Sequence, residues 1–255
     1  MDDYKIGLKI WSINKEYFQP AQILISEGYC DFLEIYYVPG SSADYVSLWK
    51  KIDAPIFVHA PHYSHRVNLS LREFEEGNRK SLDEAITFAK RLDARGAIIH
   101  GGTGGTIDEL IRQISRFDRN TLIIENKPVC GLNDAFCVGV TPEDIKTILD
   151  ELGMRFCLDI SHAIIAANTL GIDALELIDS FISLGPTLYH LCDSYTDGNV
   201  DHHLNIGDGD YDFPALLSHI PKDAWITLET PKNKKPGLLD VIDDVQLLRH
   251  LCGHE

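Results

Sequence analysis

Six short apolar runs along this chain each end on a histidine, an aspartate or a glutamate. The runs occupy positions 56–59 (IFVH), 97–100 (AIIH), 122–125 (LIIE), 156–159 (FCLD), 187–190 (TLYH) and 226–229 (ITLE). A run of this length is too short for a buried helix and predicts a strand buried on both faces. Asp and Glu contribute 39 of the 255 residues and His contributes 11, so six such endings are unexpected by chance. The pattern predicts strands that bring metal-binding or proton-transferring side chains to one place, which is typical of a catalytic site.

Helical segments separate these strands, and two further strands precede them at 5–10 and 32–36. Helices are predicted at about 19–27, 43–50, 71–92, 107–116, 162–168, 174–184, 213–220 and 238–251, with another opening at Thr141. Eight such units without a linker or a repeat predict one α/β domain over residues 1–255, a single (β/α)8 TIM barrel. A doubly wound sheet is the alternative, but a barrel places the carboxyl ends of all its strands in one ring.

The side chains at these strand ends offer imidazole nitrogen and carboxylate oxygen without any thiolate. They are His59, His100, Glu125, Asp159, His190 and Glu229. This mixture suits Zn²⁺, Mn²⁺, Co²⁺ or Fe²⁺ better than Ca²⁺ or a structural zinc-thiolate site. His162 follows Asp159 in the sequence DISH, and Asp201 and His203 lie in the loop after strand 7. Each residue alone has an ordinary structural explanation, but so many carboxylates converging without a cation would repel one another. The sequence therefore predicts a site for one to three divalent metal ions per chain, with Zn²⁺ or Mn²⁺ expected.

Three further residues are candidates for binding a substrate. Glu34 in the second strand is expected to accept a hydrogen bond from a sugar hydroxyl or to pair with a cation at the barrel mouth. Lys127 is expected to meet a phosphate or a carboxylate, although a surface lysine is the simpler alternative. His62 lies in the loop after strand 3 and competes with His59 as the metal ligand from that strand.

The glycine-rich stretch at 100–106 (HGGTGGT) has two interpretations. It lacks the third glycine of a dinucleotide-binding fingerprint, because Ile107 stands at that position. Its amides are expected either to hold a phosphate at the start of the next helix or to form a tight turn that a substrate can approach. The sequence does not separate these two roles.

The overall charge, the apolar segments and the cysteines indicate which partners and which cellular location to expect. The net charge of −16 argues mildly against a nucleic-acid partner, because phosphate contacts require clustered Lys and Arg. The carboxylates of the predicted site contribute to this total, so the charge around the site, rather than the net charge, determines whether a nucleic acid can bind there. No apolar stretch approaches the roughly 20 residues of a membrane span, and no signal peptide is visible; a cytoplasmic protein is expected. The six cysteines are scattered, and Cys157 and Cys192 are expected to be buried free thiols.

Several longer motifs contain these residues and resemble those of a known superfamily. The motifs are VHAPH, IIENKP, CLDISHA, HLCDS, DHHLNIGDGDYDF and ITLETP. Together they make the chain, nearly from end to end, similar to the xylose isomerase-like TIM-barrel superfamily. That superfamily includes endonuclease IV and many isomerases and epimerases of sugars and sugar phosphates.

Endonuclease IV enzymes hold three metals with nine residues, and all nine residue types are present here in the same order. The resemblance implies one group of His59, His100 and Glu125, a second of Glu125, Asp159, His190 and Glu229, and a third of His162, Asp201 and His203. The ligand from strand 3 stays open, because counting along the strand favours His59 and counting back from 67–69 favours His62.

The chain also departs from the endonuclease pattern. Its first strand reads IGLKIWS in place of a Gly-Ser/Ala-His-Val-Ser start, and the segment after Glu125 reads ENKPVCG rather than an ENTAGQG-like form. No obvious basic or aromatic insertion that would wedge into a DNA duplex is present. These departures and the acidic balance favour a sugar or sugar-phosphate isomerase or epimerase, in which Glu125 and Glu229 transfer the proton beside one metal.

The alternative interpretation is an endonuclease IV-type phosphodiesterase that cuts DNA beside abasic sites. The full set of nine ligands favours this alternative. A metal-stabilised barrel that binds a ligand without turnover is a third, weaker alternative. The sequence does not specify the substrate, the metal or the oligomeric state.

Overall fold

Eight parallel strands close into a barrel in the order in which they occur along the chain. The computed structural model describes residues 4–41, 43–131, 134–232 and 234–251. The strands are β1 (Lys5–Trp11), β2 (Phe32–Tyr36), β3 (Ile56–His59), β4 (Ala97–His100), β5 (Leu122–Glu125), β6 (Arg155–Asp159), β7 (Leu188–Leu191) and β8 (Trp225–Leu228). The predicted (β/α)8 barrel is confirmed.

Helices surround the barrel and cover the outer faces of its strands. They are α1 (Phe18–Ser26), α2 (Ala43–Trp49), α3 (Glu75–Arg91), α4 (Ile107–Ile114), α5 (Pro142–Leu152), α6 (Ile160–Leu170), α7 (Ala174–Ile182), α8 (Phe213–His219) and α9 (Leu239–Leu251). The third helix begins later than predicted, because a 3₁₀ turn at Arg72–Phe74 precedes α3. No helix in the described part of the chain is long and apolar enough to cross a membrane.

An apolar layer fills the lower part of the barrel interior. It consists of Phe32, Phe57, Ile98, Ile123, Cys157 and Leu188, with Trp225 packed against them. Side chains alternate along a strand, so the residue two positions further on also points inward, one layer higher. These next residues are Glu34, His59, His100, Glu125, Asp159, His190 and Thr227. We call the lower layer the apolar floor and the upper layer the polar ring. The short apolar runs that end on polar residues reflect these two layers.

The first strand continues the same alternation through Gly7 and Lys9. A Cβ atom on Gly7 would lie 2.2 Å from Cζ of Phe32, so a larger residue there would displace the floor. Two residues later Lys9 occupies the upper layer, paired with Glu34 on the neighbouring strand.

The cysteines within the described residues are free thiols, and Cys157 and Cys192 are buried, as expected. The described cysteines are Cys30, Cys130, Cys137, Cys157 and Cys192. Cys252 lies outside the described residues.

Candidate metal centre

The ends of β3, β4 and β5 bring three donor atoms into a near-equilateral triangle. Nε2 of His100 lies 3.2 Å from Nε2 of His59 and 3.2 Å from Oε2 of Glu125. Nε2 of His59 lies 3.4 Å from the same carboxylate oxygen. Ligands about 2.0–2.1 Å from a tetrahedral metal are separated by about 3.3 Å. Nδ1 of His59 lies 2.8 Å from the carbonyl of Ala60, which assigns the ring proton to Nδ1 and leaves Nε2 to accept a metal.

Of the two histidines considered for strand 3, His59 is the one that joins this triangle. The ring of His62 lies above it, stacked on His100 with centroids 4.8 Å apart and planes inclined by 13°. Burial and the neighbouring His100 lower the pKa of His62 far below its usual value, so its ring is neutral. His62 covers the first donor group from the loop side.

A second donor group surrounds Nδ1 of His190 on β7. This atom lies 2.7 Å from Oε1 of Glu229, 3.3 Å from Oε2 of Glu125 and 4.0 Å from Oδ2 of Asp159. It is buried and has no hydrogen-bond partner among the described residues. The other ring nitrogen, Nε2, lies 2.8 Å from Oε2 of Glu34. A histidine held by a carboxylate on one nitrogen, with the other nitrogen facing acidic oxygens, is typical of a metal ligand.

Helix α6 begins immediately after β6, and this direct start positions two of the donors. Oδ1 of Asp159 accepts a hydrogen bond from the backbone N–H of His162 at 2.8 Å and caps the helix. Oδ2 of Asp159 therefore remains free to face the ring. Nδ1 of His162 lies 3.0 Å from the carbonyl of Asn126, whose side chain bonds both backbone groups of Asp159. The motifs IIENKP and CLDISHA thus meet through Asn126.

A third donor group combines α6 with the long loop after β7. Oδ2 of Asp201 lies 3.2 Å from Nε2 of His203 and 3.6 Å from Nε2 of His162. Nδ1 of His203 lies 3.1 Å from the carbonyl of Glu229, which turns Nε2 toward Asp201. All nine residues that the resemblance implied therefore converge at one end of the barrel.

The loop that carries Asp201 and His203 is folded around the carboxylate of Asp193. This carboxylate accepts backbone hydrogen bonds from Ser194, Gly207, Gly209 and Tyr211 at 2.8–3.3 Å. A Cβ atom on Gly209 would lie 2.1 Å from the carbonyl oxygen of Ser194. The glycine at this position in IGDGDYD is therefore required for the chain to wrap closely around Asp193.

The electrostatics of the ring favour bound cations. The described residues place five carboxylates here, from Glu34, Glu125, Asp159, Asp201 and Glu229, against the ammonium groups of Lys9 and Lys127. Burial raises the pKa of Glu125, but His100 and Lys127 outweigh it and hold the pKa well below its usual value. Ionised oxygens and unpaired imidazole nitrogens are the donors that Zn²⁺ and Mn²⁺ accept, so the residues fit divalent metals.

Comparison with known proteins identifies the family. The sequence profile of the xylose isomerase-like TIM barrel family matches residues 31–251. The chain belongs to this family. A probable endonuclease 4 of Mycobacterium bovis is 27% identical over 217 residues, which cover 80% of this chain and 81% of the relative.

Solved structures of different activity share the architecture of this xylose isomerase-like barrel. A D-tagatose 3-epimerase-like protein superposes with a TM-score of 0.75 at 19% identity, covering 98% of this chain and 97% of its own. Endonuclease IV from Thermus thermophilus superposes with a TM-score of 0.73 at 19% identity, and the match covers 98% of this chain and 99% of the endonuclease. At these identities the likeness establishes the fold, and the reaction must be argued from the site.

Lys9 on β1 belongs to this centre and was not predicted from the sequence. Its Nζ contacts Oε1 of Glu229 and lies 3.1 Å from Oε1 of Glu34. Burial lowers the pKa of Lys9, but Glu229 and Glu34 outweigh it and raise the pKa above its usual value. The alternation of Gly7 and Lys9 with Leu8 and Ile10 is the signal that would have identified this inward position.

The three residues predicted to bind substrate lie at different depths. Glu34 is a fully buried member of the ring, and the hydroxyl of Thr227 donates to its Oε2 at 2.7 Å. Nζ of Lys127 lies at the ring itself, 3.4 Å from Oε1 of Glu125 and 3.2 Å from Nε2 of His162. His62 lies above the ring. Lys127 and His62 therefore border the open side, and Glu34 does not.

The glycine-rich stretch after β4 forms a close turn. Gly102 has a φ of +100°, and a Cβ atom on it would lie 2.1 Å from Oδ1 of Asn68. The N–H groups of Thr103, Gly104 and Thr106 donate to Asn68, Phe136 and Ser70. These amides already have protein acceptors, which favours the tight turn over a phosphate site.

We expect substitution of Lys9 by Met to destabilise the metal-free protein by about 3 kcal/mol, because it leaves Glu34 and Glu229 without their shared cation. Metal bound beside Glu229 would replace part of the lost charge, so the loss should shrink when Zn²⁺ is present. Urea unfolding with and without Zn²⁺ measures both values. Lys146→Met, which removes an exposed ion pair with Asp150, is the control and should cost at most about 1 kcal/mol. An equal loss with and without metal would contradict this role.

Proposed function

We propose that this chain is a divalent-metal-dependent phosphodiesterase of the endonuclease IV type that uses up to three metal ions. The observation that carries the proposal is the convergence of the nine donors into three adjoining groups at one barrel mouth. When bound, divalent metals polarise a phosphate ester and the water that attacks it. The sequence alone favoured an isomerase, and the geometry of the third group supports the phosphodiesterase instead.

Glu125 is the residue on which the arrangement depends. Its Oε2 lies within 3.4 Å of His59, His100 and His190. Its Oε1 lies 3.2 Å from Nδ1 of His162. One carboxylate therefore faces the first donor group with one oxygen and the neighbourhood of α6 with the other, as a residue bridging two metals would.

Two groups around the ring have roles in orientation and charge. Glu34 holds Nε2 of His190, so that Nδ1 is directed at the donors around it. Lys127 places a positive charge beside Glu125 on the open side, where it would bind a non-bridging phosphate oxygen. The phosphate diester of an abasic-site duplex is the substrate class that we assign first, since the Mycobacterium bovis relative is named an endonuclease.

A sugar or sugar-phosphate isomerase or epimerase is the second candidate. It is favoured by one observation: Glu125 and Glu229 both approach Nδ1 of His190, at 3.3 and 2.7 Å, and so face the same position. Two opposed glutamates beside one metal suit removal and return of a proton on a sugar carbon. This chemistry needs one metal and gives no function to the third donor group.

Substitution of His203 by Ala separates the two candidates. For the phosphodiesterase we expect cleavage of an abasic-site duplex to fall at least about 100-fold, because a metal that neutralises phosphate charge is lost. For a one-metal isomerase, turnover on a panel of ketoses and aldoses should hardly change. His202→Ala is the matched control, because the adjacent His202 is exposed and its Nδ1 contacts Ser194.

The protein should be purified without chelator and its metal content measured alongside both assays. Two or three metals with duplex cleavage support the phosphodiesterase. One metal with sugar turnover that survives in His203→Ala establishes the second candidate instead. Protein that binds no divalent metal would contradict both.

A further inference from the structure

We propose that Cys192 supplies a thiolate ligand to the third metal, together with Asp201 and His203. Cys192 directly follows β7, two residues after His190, and its side chain is buried. The predicted ligand set contained no sulfur, and Cys192 was expected to be an inert buried thiol. Its position beside the loop after β7 assigns it a role in the centre instead.

The distances support direct ligation. Sγ of Cys192 lies 3.5 Å from Oδ1 of Asp201. One ligand atom each from Cys192, Asp201 and His203 can be chosen so that all three lie within 4.8 Å of one another. Sulfur and oxygen ligands of one tetrahedral zinc are separated by about 3.5 Å, and Oδ2, the oxygen of Asp201 that faces His203, belongs to the carboxylate that this sulfur already contacts. The side chains therefore need little movement to share one cation.

An independent observation at Asp201 points to a ligand in the same place. The side chain is only 11% exposed, and Oδ2 is buried without a hydrogen bond from any described residue. The other oxygen, Oδ1, accepts hydrogen bonds from the hydroxyl of Ser161, the thiol of Cys192 and the N–H of His203, which fix the carboxylate. A buried carboxylate oxygen without a donor is costly, and a cation held with Cys192 and His203 removes that cost.

Ligation requires only an exchange of a proton for a metal. The thiol proton of Cys192 leaves to solvent as the sulfur–metal bond forms, and no oxidation or reduction takes place. A thiolate is a softer donor than imidazole or carboxylate, so the third position would prefer Zn²⁺, Co²⁺ or Cd²⁺ to Mn²⁺ or Mg²⁺. The inference rests on the proposed function only in assuming that the third donor group holds a metal.

Cobalt substitution of the full chain tests the sulfur directly. Chelator-stripped protein is titrated with Co²⁺ while the near-ultraviolet spectrum is recorded and bound metal is counted after dialysis. We expect a thiolate-to-cobalt charge-transfer band as the third ion binds. In Cys192→Ser the band should disappear and affinity for the third ion should fall at least about tenfold. Cys30→Ser is the matched control: Cys30 is equally buried but precedes β2 at the opposite end of the barrel, and the band should remain.

The outcomes distinguish this assignment from the proposed function. Three bound cobalt ions without a thiolate band in the unsubstituted protein would overturn the role of Cys192 and leave the three-metal phosphodiesterase intact. A band that persists in Cys192→Ser would equally overturn it, because another sulfur would then be the source. Fewer than three bound ions would overturn the role of Cys192, and a single bound ion would overturn the phosphodiesterase as well. The absence of a thiolate band in the unsubstituted protein would overturn the assignment even if a variant fails to fold.

Discussion

Glu125→Gln should abolish the metal-dependent activity, with turnover falling by about three orders of magnitude or more, which corresponds to about 4 kcal/mol of transition-state stabilisation. The amide preserves the shape of the side chain but removes its charge and replaces one ligating oxygen by an NH₂ group. Because Oε2 faces His59 and His100 while Oε1 faces His162, either orientation of the amide disturbs one of the donor groups. Metal content should fall by at least one ion per chain.

Activity and metal content should be measured on the same preparation as thermal unfolding. The matched control is Glu151→Gln on α5, an exposed position, which should leave metal content and turnover unchanged. A Glu125→Gln protein with full metal content and turnover would show that the carboxylate does not bridge metals. Loss of the folded state in the circular dichroism spectrum would instead assign Glu125 a structural role.

The strand ends of this barrel could be predicted because one local rule governs them. On each of β3 to β7, the inward-facing residue of the apolar floor is followed two positions later by an inward-facing residue of the polar ring, as Ile123 is followed by Glu125. The rule needs no knowledge of distant contacts, so sequence was sufficient for the ring. Glu229 fits it less directly, because it stands just after β8, with its N–H bonded to the carbonyl of Leu191.

Other parts of the centre depend on contacts that local patterns do not contain. Lys9 lies within β1 rather than at its end, and its partners Glu34 and Glu229 are distant in sequence. The choice of His59 over His62 depends on the course of the loop after β3. The approach of Cys192 to Asp201 depends on how the loop after β7 folds back, which the position of either residue in the sequence does not determine.

We expect Asp193→Ala to lower the free energy of unfolding by about 4 kcal/mol and to remove the third metal. The buried carboxylate of Asp193 accepts N–H groups from Ser194, Gly207, Gly209 and Tyr211. Alanine would leave these donors unpaired in a loop that cannot hydrate them without opening. Because the same loop carries Asp201 and His203, its opening should disperse the third donor group while the first, on β3 to β5, remains. Urea unfolding and metal counting on one preparation measure the two effects.

Asp197→Ala is the appropriate control for this effect, because it removes an exposed aspartate from the same loop. This substitution should lower the free energy of unfolding by at most about 0.5 kcal/mol. The metal content of the Asp197→Ala protein should equal that of the unsubstituted protein. If Asp193→Ala lost stability but kept the third metal, Asp201 and His203 would have to be positioned by their own contacts with Ser161 and Glu229. If it lost the metal without losing stability, the loop would be organised by metal binding. A loss of both would support the role of Asp193 as the residue that folds this loop and thereby positions Asp201 and His203.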